Sequence, residues 1–334
     1  MHIVFDPRQR AHAPALELMN GGFVPFAETP ARADAILAAL GPAEAPVDHG
    51  EAPLRAVHDE GYLAFLWSAH QDWRAAGRAG DAGAYAWPVV RRRPLDLDRV
   101  DARLGAYSFD AASPIAAGTW EGAYWSAQSA LTALDHVLAG ARAAFALCRP
   151  PGHHSGRDYL GGYCYLNNAA IAAEAAAAAG RRVAILDVDY HHGNGSQDIF
   201  YARPDVLFVS IHADPRTDFP YYWGHADETG EGEGEGATLN LPLPRGTDLG
   251  AYLPALDIAL ARIAAFAPDM LVVSYGADTF AGDPISHFRL ETRDYEALGR
   301  GIAGLGLPVL TLMEGGYAVD ALGANVASFL EGLS

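Results

Sequence analysis

The sequence predicts an α/β fold with a central parallel sheet between layers of helices, and three observations carry that prediction. Short apolar runs rich in β-branched residues alternate with Ala-rich stretches, the pattern of repeated β–α units. Those runs are continuously apolar rather than alternating, as expected of strands buried on both faces. Polar side chains follow several of them directly, at the edge where open α/β sheets bind ligands.

Strands are expected at Met1–Phe5, Ala143–Arg149, Val183–Val188, Val206–Ile211, Met270–Tyr275 and Val309–Met313. The first helix is expected at Pro30–Leu40, with Thr29 as its N-cap and Pro at the first helical position. Thr119–Ala139 and Asn168–Ala179 read as helices stopped by Gly140 and Gly180. Leu253–Phe266, Asp294–Ala303 and Val319–Leu333 complete the set. Residues 70–118 and 213–237 show no strong period and read as irregular. The second stretch holds Pro215, Pro220 and the repeat Glu231-Gly232-Glu233-Gly234-Glu235-Gly236. Loops of that length in a compact domain are usually functional or disordered. No linker separates two domains, so residues 1–334 are expected to form a single catalytic domain.

Composition narrows the function. A hydrophobic fraction of 50% supports a large core, and 41 acidic against 23 basic residues give a formal charge of -18. That excess excludes a nucleic-acid binder, which needs a basic face, and predicts weak binding to anionic membranes. Arg91-Arg92-Arg93 is the one basic run and reads as a solvated face or subunit contact. Acidic charge at a cleft would attract a cationic substrate. No apolar run is expected to span a membrane, and no signal peptide is recognised. Cys148 and Cys164 read as reduced core thiols of a cytoplasmic protein.

The chemistry gathers at four strand ends. One runs into Pro150-Pro151-Gly152-His153-His154, and the next into Asp187-Val188-Asp189-Tyr190-His191-His192-Gly193. The others run into Gly276-Ala277-Asp278 and Glu314-Gly315-Gly316-Tyr317. Asp189 and His191 are two apart and share a face in extended backbone. With Asp278 they make two carboxylates and one imidazole, a catalytic metal set with an open position. His153 and His154 are adjacent, which suits them to acid–base work rather than to one metal. Asp187 and Asn194 are the candidates to fix their tautomers. Tyr317 is a donor suited to a developing oxyanion. Together these residues point to metal-assisted hydrolysis of an acyl group.

These same motifs, with Gly162-Tyr163-Cys164-Tyr165-Leu166-Asn167-Asn168, resemble the histone deacetylase family, nearest its bacterial acetylpolyamine amidohydrolase branch. The resemblance implies an arginase–deacetylase fold with a parallel sheet of about eight strands. It implies Zn²⁺ on Asp189, His191 and Asp278, His154 as general base oriented by Asn194, and His153 oriented by Asp187. Tyr317 would polarise the acetyl carbonyl. An arginase-like two-metal site would need a D-x-D in the Asp278 region, so one zinc is expected. The resemblance further implies K⁺ or Na⁺ at two structural sites. One involves Asp187, Asp189, His191, Ser210 and Ile211, largely through backbone oxygens, and the other Phe200, Arg203 and Val206. Tyr163 and Phe219 would wall a narrow tunnel with Ile285 alongside, and the Gly162 carbonyl would accept the substrate amide N–H.

For the substrate, the resemblance implies acetylated polyamines such as acetylputrescine, acetylcadaverine or acetylspermidine. A loop around residues 80–118 would build a homodimer that narrows the active-site mouth. Glu121 would hold the distal ammonium, with Asp110 as a second acid of uncertain alignment. Glu60, near a rim acid of histone deacetylases, favours peptide substrates, and the alternative reading is a deacetylase of acetyl-lysine proteins or other small acetyl amides. A non-catalytic metal-binding homologue is the remaining reading. His192 and His212 are expected to be structural.

Overall fold

The computed structural model describes residues 1–88 and 97–334. The Arg91–Arg93 run therefore lies outside the described residues, as does part of the 80–118 loop. The strands are β1 (His2–Val4), β2 (Leu16–Met19), β3 (Gly22–Pro25), β4 (Ala143–Ala146), β5 (Val183–Asp187), β6 (Val206–Ala213), β7 (Thr238–Leu243), β8 (Met270–Tyr275) and β9 (Val309–Met313). The helices are α1 (Ala31–Leu40), α2 (Ala52–Val57), α3 (Glu60–Ala75), α4 (Val100–Ala106), α5 (Thr119–Leu138), α6 (Asn168–Ala178), α7 (Asn194–Phe200), α8 (Leu249–Phe266), α9 (Asp294–Ala303) and α10 (Val319–Leu333).

Among the described residues seven strands form one parallel sheet in the order β1-β4-β9-β8-β5-β6-β7, in line with the expected sheet of about eight. Alternate side chains of each strand enter opposite cores. Val183 and Ile185 of β5 face the layer built by α2, α3, α5 and α6. Ala184 and Leu186 face the layer of α1, α8, α9 and α10.

The structure corrects several expectations. Strand β7 was not expected, because its Thr-Leu-Asn-Leu-Pro-Leu run is only half buried and Pro242 weakens a strand reading. As the edge strand it tolerates the proline. The antiparallel pair β2–β3 turns through Asn20 and Gly21, both at positive φ, and was also unforeseen. Residues 70–118 are not wholly irregular, since α3 runs to Ala75 and α4 follows. Helix α1 starts at Ala31 with Pro30 as its cap, and Thr29 makes no capping bond through its side chain. Helix α8 begins earlier than expected, capped by Asp248, whose carboxylate accepts the Ala251 N–H at 3.1 Å. By length and composition α8 is apolar enough to cross a membrane, against expectation. It packs Tyr252, Leu256, Ala259 and Ile263 against the sheet core.

The order of strands places the site. The four strands with polar ends, β4, β9, β8 and β5, are consecutive in the sheet. From β5 the chain continues through α7 to β6, and from β8 it turns the other way through α9 to β9. The β5–β8 boundary is therefore a topological switch point, where a crevice opens beyond the strand ends.

Candidate active site

Asp189 leaves β5 and Asp278 leaves β8, so the two carboxylates face each other across that crevice. With His191 each offers one ligand atom, and these atoms lie within 4.8 Å of one another. Each carboxylate is aimed by the backbone. Asp189 Oδ2 accepts the Gly315 N–H at 2.7 Å, and its Oδ1 accepts the His191 N–H at 2.8 Å. Asp278 Oδ1 accepts the Tyr190 N–H at 3.0 Å, which leaves Oδ2 facing His191 Nδ1 at 3.0 Å. Gly276 and Gly315 stand against these carboxylates, where any Cβ would collide with them.

The donor set fits a divalent metal. Burial, reinforced by the charge of Asp189, pushes the Asp278 carboxyl up to about 7. Two buried carboxylates that repel in this way are short of positive charge, which a bound cation supplies. Two oxygens and one nitrogen from three residues leave a coordination position open.

The histidine pair enters from the loop after β4. His153 Nδ1 bonds Asp187 Oδ2 at 2.9 Å, and His154 Nδ1 bonds Asn194 Oδ1 at 2.7 Å. Both Nε2 atoms are left for the crevice. The two environments differ sharply. Burial lowers the His153 pKa, but Asp187, Asp189 and Glu314 outweigh it and raise it to about 10. Burial and the positive charge of His153 and His191 hold His154 well below the usual histidine range. The two rings are thus pushed in opposite directions, His153 toward its protonated form and His154 toward its neutral one, a division suited to acid–base work.

A cavity of about 510 Å³ opens above these groups. Its walls include His154, Gly162, Tyr163, Phe219, Ile285 and Tyr317. Phe219 meets the His154 ring edge-on at 5.2 Å, and Tyr163 meets Tyr317 at 5.5 Å. Gly162 has φ of +54°, and a Cβ there would strike the His154 ring. Only glycine lets the wall approach the base so closely. Tyr317 is nearly buried, and its backbone N–H donates to Asp283 Oδ2 at 2.7 Å.

Some expected residues are elsewhere. Glu121 is exposed on the first turn of α5, near Arg8, and does not line the cavity. A helix start presents the same dipole-favoured carboxylate whichever way it faces, so sequence position alone did not tell its direction. Glu60 is also exposed and pairs with Arg55 at 2.8 Å. Asp110 does line the cavity, where its Oδ2 accepts the Gly162 N–H at 2.7 Å. Asp187 and Ser210 are register partners across β5 and β6, and the Ser210 hydroxyl bonds His212 Nδ1 at 2.8 Å. Phe200, Arg203 and Val206 lie together at the α7–β6 junction, where the Arg203 N–H donates to the Phe200 carbonyl at 2.9 Å. The Arg203 side chain points away, to Glu174 and Asp205. His192 and His212 are buried and hydrogen-bonded to Asn240 and to the Gly224 carbonyl.

Other contributors were missed. Arg32, wholly buried, donates to the carbonyls of Gly316 at 2.6 Å and Glu314 at 2.5 Å, and so fixes the chain leading to Tyr317. Glu28 neutralises both Arg32 and Arg149. A buried arginine with an acid four residues before it, Glu28 and Arg32, was the available signal. Phe109, stacked on Phe219 at 5.6 Å, had none.

Paired histidines beside two carboxylates and an imidazole that could hold a metal, at the edge of a parallel sheet, are an arrangement suited to metal-supported hydrolysis. The chain belongs to the histone deacetylase family: the histone deacetylase domain model matches residues 27–333. It is 53% identical over 338 residues to acetylpolyamine amidohydrolase 1 of Pseudomonas aeruginosa, covering 98% of this chain and 97% of that protein. It is 47% identical over 340 residues to the acetylpolyamine amidohydrolase of Mycoplana ramosa, covering all of both. The solved acetylpolyamine aminohydrolase of Burkholderia pseudomallei superposes with a TM-score of 0.95 at 44% identity, covering 99% of this chain and 98% of that one.

Proposed function

We propose that the protein hydrolyses acetylated polyamines such as acetylputrescine, acetylcadaverine or acetylspermidine to the free amine and acetate, with one Zn²⁺ on Asp189, His191 and Asp278. The observation that carries this reading is the cavity lined by Tyr163 and Phe219 that also exposes His191 of that ligand set, His154 of the histidine pair and Tyr317. The near-full-length similarity to acetylpolyamine amidohydrolases supports the choice of amine.

When bound, the metal would polarise the acetyl carbonyl and acidify a water beside it. The acetyl group enters between Tyr163 and Phe219, which exclude bulk water and admit a thin chain. His154 Nε2, unprotonated, accepts a proton from the attacking water. The Tyr317 hydroxyl donates to the carbonyl oxygen as negative charge develops there. His153, kept cationic by Asp187, stabilises that charge. The amine departs with a proton from the histidine pair, and acetate is left. The Gly162 carbonyl would receive the substrate amide N–H. Asp110 takes the ammonium-holding role first expected of Glu121, assisted by the overall charge of -18.

We also infer that residues 1–334 act as one catalytic domain, that a homodimer forms through the 80–118 region, and that K⁺ or Na⁺ occupies the two sites near Ser210 and Phe200. Acetate release from N-acetylputrescine by zinc-loaded protein, stopped by a chelator and restored by zinc, is the expected outcome. No acetate from any acetylated diamine would overturn the reading.

A further inference from the structure

Glu314 stands at the end of β9, three residues before Tyr317, and the hydrolytic scheme above uses its side chain only as one of the charges around His153. It is completely buried. Its Oε2 accepts two backbone N–H groups from the loop after β4, Gly152 at 2.7 Å and His153 at 3.2 Å. Its own backbone is held as well: its N–H donates to the Tyr275 carbonyl at 2.8 Å, and its carbonyl accepts from Arg32 at 2.5 Å. Its Oε1 is buried without a hydrogen-bond partner. A ligand atom of its carboxylate lies within 4.8 Å of the His153 ring and the Cys164 thiol.

The Arg149–His154 loop has no helix or strand to satisfy its amides, and buried amides require acceptors. A carboxylate oxygen accepting two of them is a short-range tether between the loops. It reaches across the β4–β9 boundary, so the loop carrying the base and the loop carrying Tyr317 are joined through one side chain. The arrangement aims His153 and His154 from behind, through backbone rather than through their rings.

We propose that Glu314 is a positioning residue that holds the Gly152–His154 turn in register with Tyr317. The inference rests on the hydrolase reading for its kinetic consequence but not for its geometry.

Three variants separate reach from charge. Glu314→Gln keeps length and an acceptor oxygen, and lowers kcat by about threefold. Glu314→Asp keeps the charge but is one methylene short, and lowers kcat by at least about thirtyfold with KM within about twofold. Glu314→Ala loses more, or fails to fold, which is why the first two variants decide the matter. Zinc content, measured by elemental analysis, stays at the wild-type level in Gln and Asp variants.

Amide exchange of Gly152 and His153, followed by NMR, gives a readout independent of activity. These amides exchange slowly in wild type and the Gln variant, and at least about tenfold faster in the Asp variant. An Asp variant with wild-type kcat and protected amides overturns the proposal, as does a Gln variant as impaired as Ala. Should the wild-type protein release no acetate, the hydrolase reading fails while the exchange pattern still tests Glu314.

Discussion

His154 places its Nδ1 against the side-chain oxygen of Asn194 at 2.7 Å, so the ring's Nε2 is the atom left to face the cavity. An amide oxygen accepts from an N–H, which fixes the tautomer without adding negative charge. Burial and the charge of His153 then keep the ring neutral.

Asn194→Asp puts a carboxylate in that place and opposes those effects. His154 works unprotonated, so raising its pKa moves the acidic limb of the kcat/KM profile to higher pH, by about one unit. The measurement is kcat/KM against pH on one acetylated diamine. A limb that stays put, or moves to lower pH, contradicts the role given to His154.

Tyr317→Phe removes one hydroxyl at the cavity wall and little else. The expected result is a fall in kcat of about 10²–10³-fold with zinc content unchanged. Turnover at the wild-type level would remove Tyr317 from the mechanism.

Asp278→Ala takes away one of two carboxylates that share the crevice with His191. The protein is expected to lose its zinc on gel filtration, since two remaining protein ligands make a weak site. Elemental analysis showing full occupancy would refute the ligand set. The loss should not unfold the chain, because the variant also removes a carboxyl that burial, with the charge of Asp189, pushes up to about 7.

Asp110 and Glu121 make opposite predictions. Asp110 lies in the cavity wall and Glu121 outside it. Asp110→Ala lowers kcat/KM on acetylputrescine by at least about tenfold, and affects a neutral acetylated amine less. Glu121→Ala leaves both within about twofold. Steady-state kinetics on the two substrates decide, and a selective loss in the Glu121 variant would reverse the assignment.

The parallel sheet and its chemical edge were legible because both depend on local pattern. Val183–Leu186 is apolar throughout, and the chain turns polar at Asp187 where β5 ends. That local signal located Asp189 and His191, and the same pattern on β8 and β9 located Asp278 and Tyr317. What the pattern does not carry is direction and long range. Glu121 faces outward because α5 packs its other side, a fact set by tertiary contacts. Pro242 hid β7, since a proline is tolerated only where the edge leaves an N–H unneeded. Arg32 meets Gly316 across nearly the whole chain, and no periodicity announces such a bond.

The central claim is that the cavity above His154 and Tyr317 serves an acetylated diamine. The direct measurement is kcat/KM of the zinc-loaded protein on N-acetylputrescine beside an acetyl-lysine peptide, under identical conditions. The account predicts a preference for N-acetylputrescine of at least about tenfold, since Asp110 in the cavity wall meets a distal ammonium that the peptide lacks. Equal rates, or faster hydrolysis of the peptide, would contradict it.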